Sequence, residues 1–330
     1  MKKGLPIVLL GLLLSLASKV RAQEAASAYN VLKLPVSSHA AALGGDNISS
    51  VEDAPAAGWS NPALLSMVTD KSVGLDFMTY NSGSLYIGAQ FVKAFGDRHT
   101  ATVMAQMLSY GSMDETDERG TVLGSFAPKD FVIGLGYSYL LDARLAGGAT
   151  LKMVSQSYAG YTSFGLGVDL GLNYFNEETD LSVSAAVKNV GAQVKSFYEG
   201  QRAHLPFVAQ LGVTKGLEHV PLRFSLTLTD LTRWKSDYYF LPEGEESIGF
   251  GRKLLNHLVV GVDILPTDYL YFAAGYNLRR AYELKSAGAS KLSGLTCGGG
   301  LQLKKLRFGL SYAKYHVSNA SFMFNVGYTL

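Results

Sequence analysis

Cysteine is almost absent from this sequence: Cys297 is the single one in 330 residues, so no disulfide can staple the chain to itself. Charge is also sparse, at 17 % of residues, against roughly a quarter in soluble globular proteins. Beyond the N-terminus no stretch of about 18 uninterrupted apolar residues occurs, which excludes a polytopic helical membrane protein. Disorder is excluded on the opposite ground, because 48 % of residues are hydrophobic and 11 % aromatic. What the chain does have is 36 Gly, 19 Tyr and 16 Phe, a composition suited to a large sheet with tight turns. One large all-β body or a two-domain globule survives these exclusions.

The first residues read as a secretory leader. Met1-Lys2-Lys3 is a short basic start, Leu5 to Ala17 is apolar, and Val20-Arg21-Ala22 supplies a cleavage site. Cleavage after Ala22 would leave 308 of the 330 residues, starting at Gln23. No cysteine follows the apolar run, so a lipoprotein anchor is not expected. The leader removes Lys2, Lys3, Lys19 and Arg21, leaving 25 of the 29 basic residues against 27 acidic ones. The formal charge falls from +2 to about −2, with no basic footprint for nucleic acid.

Between residue 71 and the end the signal is alternation. Phe164, Leu166, Val168, Leu170, Leu172 and Tyr174 share one parity, while Gly165, Gly167, Asp169, Gly171 and Asn173 hold the other. Successive strand side chains point to opposite faces, so one face is apolar and the other small or polar. The split recurs at 131–139, 222–229, 306–312 and 322–330. Charges within the alternating segments fall almost entirely on the small-residue parity: Asp76, Lys152, Asp169, Lys188, Arg223, Asp263 and Arg307. A Lys or Arg facing lipid at mid-bilayer costs about 2–4 kcal/mol, whereas a barrel interior tolerates it. A soluble β-sandwich also alternates, but its outer face would be rich in Lys, Glu and Thr rather than Gly, Ala and Ser.

The expected fold is therefore all-β: a transmembrane antiparallel β-barrel of about 14 strands over 71–330. The strands include segments at 205–215 and 254–265. Connections at 96–98, 141–143, 176–179, 216–220 and 266–268 are short, whereas the other set is mostly longer, at 110–128, 191–204, 230–253 and 279–292, with short exceptions near 81–83, 156–161 and 316–319. Outer-membrane barrels have short periplasmic turns and longer external loops. An even strand count then puts both ends of the barrel on the periplasmic side.

Residues 23–70 lack the alternation. Asn61-Pro62 reads as an N-cap followed by proline at the first position of a short helix. A 14-stranded barrel has an interior wider than its own side chains fill, so this segment is expected to be a short N-terminal plug. Lys33-Leu34-Pro35, Ala42-Leu43-Gly44-Gly45, Asn61-Pro62-Ala63-Leu64 and the barrel length together resemble the PorV/PorQ family. These are FadL-like outer-membrane barrels of the type IX secretion system, and Leu228 to Trp234 looks more like the PorQ branch.

The resemblance implies a non-catalytic anchor. It would dock a PorZ-like surface protein near the PorU sortase and PorV, in the complex that attaches cargo to surface lipopolysaccharide. On that reading Arg233, Trp234, Tyr238, Tyr239 and Phe240 are candidate partner-binding residues, since aromatics flanked by charge suit an interface. They equally suit an aromatic girdle at the membrane surface. Pro35, Gly44, Gly45, Asn61 and Pro62 are the candidate structural residues of the plug. Asp114, Glu115, Asp117 and Glu118 in 110–128 suit either a divalent cation or a solvated loop.

Catalytic patterns are missing. No G-x-S-x-G elbow, H-E-x-x-H, C-x-x-C or Walker loop occurs, and His316 with Ser318 is the one nucleophile–base pair near the external side. Cys297 lies on the lipid-facing parity. No enzyme, cofactor or metal is expected. The alternative function is a FadL-like transporter of hydrophobic small molecules across the outer membrane. The interior parity, mainly Gly, Ser, Thr, Asp, Asn and Lys with Tyr86 and Tyr271, is polar for an acyl-chain site.

Overall fold

A computed structural model describes residues 29–80, 83–198, 202–239, 247–288 and 290–330. The expected leader at 1–22, the start of the N-terminal segment up to 28, and Phe240 lie outside the described residues.

Among the described residues sixteen strands follow in chain order: β1 Ser72–Thr79, β2 Leu85–Phe95, β3 His99–Ser109, β4 Met113–Thr116, β5 Val122–Phe126, β6 Lys129–Asp142, β7 Leu145–Tyr158 and β8 Tyr161–Asn176. They continue with β9 Leu181–Lys195, β10 Val208–Leu217, β11 Val220–Leu228, β12 Leu258–Thr267, β13 Leu270–Asn277, β14 Leu295–Gln302, β15 Leu306–Ala313 and β16 Ser321–Thr329. Fourteen of them form one closed antiparallel barrel, each strand beside its neighbour in sequence, with β1 pairing β16 to close the ring. The closing register sets Ser72 opposite Thr329, Leu75 opposite Val326 and Met78 opposite Met323. The remaining two, β4 and β5, make a separate hairpin.

The alternation has the expected consequence. Leu75, Phe77, Phe91, Val103, Leu135 and Leu151 point outward and are 38–55 % exposed, whereas the inward Asp76, Lys152, Asp169 and Asp263 are at most 3 % exposed. Cys297 is on the outer face. A mainly apolar exterior of this kind has little to desolvate in hydrocarbon, and closure leaves no unpaired strand edge within the ring.

Departures from the expected strands have local causes. β10 begins at Val208 rather than 205, because Pro206 cannot donate to the ladder; Leu205 and Phe207 are buried. β12 begins at Leu258 rather than 254, because helix α3 occupies Phe250–Asn256. β9 runs on to Lys195 past a bulge opposite Val168 to Leu170, where Asn189 adopts φ 58°. The connection at 279–292 holds helix α4, Leu278–Ser286. In the β4–β5 hairpin the Asp117 carboxylate accepts the backbone N–H groups of Arg119 and Thr121 at 2.9 and 2.8 Å. Among the described residues no three His, Cys, Asp or Glu side chains converge as metal ligands.

Residues 29–71 pack against the inward faces of the strands. Helix α1, Ser38–Ala42, lies on β13 to β16, and the 3-10 helix Pro62–Met67 lies on β3, β6, β7 and β8. Between these two stretches is the one-turn helix α2, Ala57–Ser60. Asn61 caps the 3-10 helix, accepting the Ala63 N–H at 3.0 Å, and its Nδ2 donates to the carbonyls of Ile48 and Leu172, each at 3.2 Å. Pro62 occupies the first helical turn. A side chain at Gly148 would meet Pro62 backbone at 2.5 Å, so that wall position must be bare. Trp59, 1 % exposed, lies 5.3 Å from Lys152 Nζ, whose own partner is Asp169 at 2.5 Å. A buried cation without such a partner would be costly to desolvate.

Candidate functional site

At the long-loop end, between the N-terminal segment and the wall, is a cavity of about 420 Å³. Six stretches of chain build most of it. Residues 30–36 and 45–48 form one side; Lys188, Asn189, Val208 and Gln210 come from the wall; Asp230, Arg233 and Tyr238 follow β11; Arg279, Arg280 and Glu283 come from α4.

The start of α4 is fixed locally. Asn277 caps it, accepting the Arg280 N–H at 2.9 Å, and its Nδ2 donates to the Gly44 carbonyl at 3.3 Å. Gly44 and Gly45 follow α1 with φ of 104° and 98°, a region that side-chain-bearing residues rarely enter. Their turn presents the Gly44 carbonyl to Arg280 Nη2 at 3.0 Å. The Arg280 guanidinium also lies 4.4 Å over the Tyr315 ring.

Arg279 is the hub of the opposite side. It reaches Asp230 at 2.9 Å, Glu283 at 2.8 Å and the Tyr238 hydroxyl at 2.7 Å. The Tyr238 ring has Arg279 at 4.2 Å and Arg233 at 4.5 Å, a doubled cation–π contact. Arg233 donates through Nη2 to the Phe207 carbonyl at 2.8 Å. Asp46, on the N-terminal side, accepts from Gln210 Nε2 at 3.3 Å. Burial, reinforced by the Asp230 charge, raises its pKa above the usual carboxylate value, against the opposing pull of Lys188 and Arg280.

The sequence-derived candidates divide. Arg233 and Tyr238 line the cavity, as do Pro35 and Gly45. Tyr239 is 5 % exposed, its hydroxyl donating to the Arg233 carbonyl at 2.8 Å and lying 3.1 Å from His257 Nε2. Burial pushes the His257 imidazole below its ordinary pKa. Trp234 stays 37 % exposed, packed on Phe250 and His257 at 6.1 and 4.2 Å between ring centres. Tyr238 and Tyr239 therefore spend their rings inside the loop rather than on its surface. Asn61 and Pro62 lie deeper in the barrel. What reaches His316 Nδ1 is the Ser318 backbone N–H, at 3.2 Å, not a nucleophile.

Sequence reasoning missed Arg279, Arg280, Asp46 and Tyr315, and Tyr80, which also lines the cavity. A signal existed for the first two: Asn277 closes a strand as a helix N-cap would, and two arginines follow within one turn.

No family model matches the sequence, and no curated protein matches it. Solved structures do resemble it. The toluene transporter TodX of Pseudomonas putida aligns with a TM-score of 0.54 at 15 % identity, over 89 % of this chain and 96 % of that one. The monoaromatic hydrocarbon channel CymD aligns with a TM-score of 0.56 at 16 % identity, over 91 % and 98 %. A Pseudomonas aeruginosa FadL homologue aligns with a TM-score of 0.50 at 12 % identity, over 89 % and 98 %. The class follows: the chain has the FadL-like outer-membrane barrel fold, a closed antiparallel barrel of 14 strands. The structures it resembles include a transporter and a channel rather than enzymes.

Proposed function

We propose that the protein resides in the outer membrane and carries small molecules with an apolar part across it, as a FadL-like transporter. The cavity carries this reading. It opens at the long-loop end, external by the rule that outer-membrane barrels keep short turns toward the periplasm. Its 420 Å³ falls within the roughly 300–1,000 Å³ of small-molecule sites. Its inner side is the segment 29–71, which acts as the plug, so a ligand seated there would lie against a part of the chain that fills the lumen. The names of the similar structures, a toluene transporter and a monoaromatic hydrocarbon channel, support the same reading.

The test is uptake by intact cells of a host without its own FadL-type transporter. Radiolabelled toluene and benzoate are supplied with and without the barrel. Faster entry of at least one compound is expected; entry of neither above the empty-vector rate would overturn transport.

A second reading keeps the anchor role, docking a PorZ-like surface protein beside PorU and PorV at the lipopolysaccharide surface. It is favoured by one observation: Trp234, Phe250, Leu254 and Leu255 are 37, 72, 44 and 40 % exposed on the loop after β11. Tyr238 and Tyr239 drop out as contacts because they are buried. If the loop docks a partner, Trp234→Ala with Phe250→Ala should abolish its co-purification while leaving the barrel folded. Undiminished recovery of the partner would exclude this surface.

A further inference from the structure

Four neighbouring strands are longer than a membrane crossing requires. β6, β7, β8 and β9 have 14, 14, 16 and 15 residues. The other ten barrel strands have 8–11, and a tilted strand crosses the hydrocarbon in about 9–11. At the long-loop end of these four the outer face changes chemistry over a few residues. Its outermost row sets Lys129 beside Ser157 and Ser157 beside Thr162, and Lys195 Nζ donates to the Thr162 hydroxyl oxygen at 2.7 Å. The row below sets Phe131 beside Ser155, Ser155 beside Phe164 and Phe164 beside Lys195. The next row is apolar, with Ile133, Met153 and Leu166 side by side.

This side of the ring is unlike the rest. At the same end of β2, β11, β12, β14, β15 and β16 the outermost outward side chains are Leu85, Leu228, Leu258, Leu295, Tyr312 and Phe322. Shape adds to the contrast. Ser155 is small and stands between two rings, so Phe131, 43 % exposed, and Phe164 wall a shallow trough that runs along β7. Lys129, Ser155 and Ser157 make no hydrogen bond or ion pair with a described residue, and Thr162 accepts from Lys195 while its own proton is uncommitted. No carboxylate shares these two rows. Two ammonium groups and three hydroxyls therefore offer hydrogen-bond donors where the apolar wall ends.

We propose that this trough binds the phosphorylated headgroup of an outer-leaflet glycolipid. Lys129 and Lys195 hold phosphate oxygens from either side, the hydroxyls of Ser155, Ser157 and Thr162 donate between them, and the acyl chains lie down Ile133, Met153 and Leu166. The inference rests on the outer-membrane placement, and on neither transport nor anchoring. The occupant follows from continuity. The trough opens onto the lipid-facing wall, so its ligand must be apolar below and anionic above; a free anion would meet only the upper half. Lysine serves phosphate as a point charge, and cationic side chains at a membrane surface gain from anionic lipid. The strands that carry the two lysines are three spacings apart, about 14 Å at roughly 4.8 Å each, so a headgroup with two phosphates across a sugar pair can meet both.

The purified full-length barrel in detergent is titrated with diphosphoryl lipid A and with a diglucosyl diacylglycerol, which has sugars and acyl chains but no phosphate. Native mass spectrometry reads the bound lipid. Lipid A is expected to bind at least tenfold more tightly than the neutral lipid. Lys129→Gln with Lys195→Gln should remove at least tenfold of the lipid A affinity. Lys304→Gln with Lys305→Gln deletes the same charge at the short-turn end and should remove none. Ser155→Leu fills the trough with a side chain that a lipid-facing wall accepts, so it should weaken lipid A while the heat-modifiable gel migration is retained. The neutral lipid binding as tightly overturns the inference, as do equal losses in the two lysine pairs or no loss in the first. Inorganic phosphate displacing lipid A at equal concentration would overturn it too, by showing a site for the bare anion. Were the Lys129 and Lys195 variant not to fold, the two lipids on the unaltered protein still decide. Recovery of the protein outside the outer-membrane fraction would remove the placement beneath the inference, whereas toluene and benzoate uptake bears on transport alone.

Discussion

Gly275 shows how much of this architecture turns on single atoms. It faces inward from β13, and a Cβ there would overlap the backbone of Leu43 and Gly44, where α1 gives way to the turn that meets Arg280. The obstruction is backbone on both sides, so no rotamer change can relieve it. Gly275→Val should therefore leave the barrel wall closed, because β-branched residues suit strands, while forcing the N-terminal segment off β13. Proteolysis of residues 38–60 in the detergent-solubilised protein should accelerate at least tenfold, with the heat-modifiable gel migration of the barrel retained. A cleavage rate equal to that of the unaltered protein would show that the segment does not depend on this contact. Gly275 was legible in the sequence only as an inward position, since nothing local says which backbone crosses it.

At the scale of elements, legibility followed periodicity. The strands could be placed because period two sustained over nine or more residues is the mark of a sheet with two unlike faces, and the fourteen barrel strands lie close to the expected segments. Where the chain leaves the wall, the pattern stops being informative. Phe250–Asn256 is a helix that straddles the loop expected to 253 and the strand expected from 254, and Leu278–Ser286 is a helix at the stretch 279–292 read as a loop; the first is too short and both are too closely tied to tertiary contacts to announce themselves. The candidate site suffered most, since its residues come from positions 30–48, 188–210, 230–238, 279–283 and 315, and only folding brings them together. The loop after β11 was correctly seen as rich in aromatics and charge, but the partners of those aromatics lie on α4 and at His257. Tyr239 measures the strength of that internal packing. Tyr239→Phe keeps the ring and deletes the hydroxyl that donates to the Arg233 carbonyl. One such bond, at about 0.5–1.5 kcal/mol, predicts that amides of 230–239 and 254–258 open more readily by about that amount in hydrogen exchange. No change there would mean the loop is held by ring packing alone.

Across the whole molecule, the question is what binds the N-terminal segment to the wall, and the most ionic answer is His39. It projects from α1 between Glu52 of the same segment, at 2.7 Å, and Asp263 of β12, at 2.8 Å, with the Tyr271 ring 4.4 Å away. Burial works against a charged imidazole, but the two carboxylates together outweigh it and hold the pKa well above 6.5. Because the folded value is raised, the stabilisation is complete below the unfolded value of about 6.5 and is lost as pH rises through the folded one. The contact should therefore be firm at neutral pH and loosen only in the alkaline range, where loss of the proton leaves Asp263 and Glu52 flanking a neutral ring. Proteolysis of the segment, normalised to an unstructured peptide at each pH, should accelerate on the alkaline side, and His39→Gln should be fast throughout with that pH dependence gone. Two other ion pairs among the described residues join the segment to the wall: Arg307 with Asp53, whose guanidinium stays charged over this range, and Lys93 with Asp70, which His39→Gln leaves in place, so the comparison of the two proteins isolates the His39 step. If the unaltered protein and His39→Gln gave the same profile, the segment would be held by its backbone fit against wall glycines rather than by this ion pair.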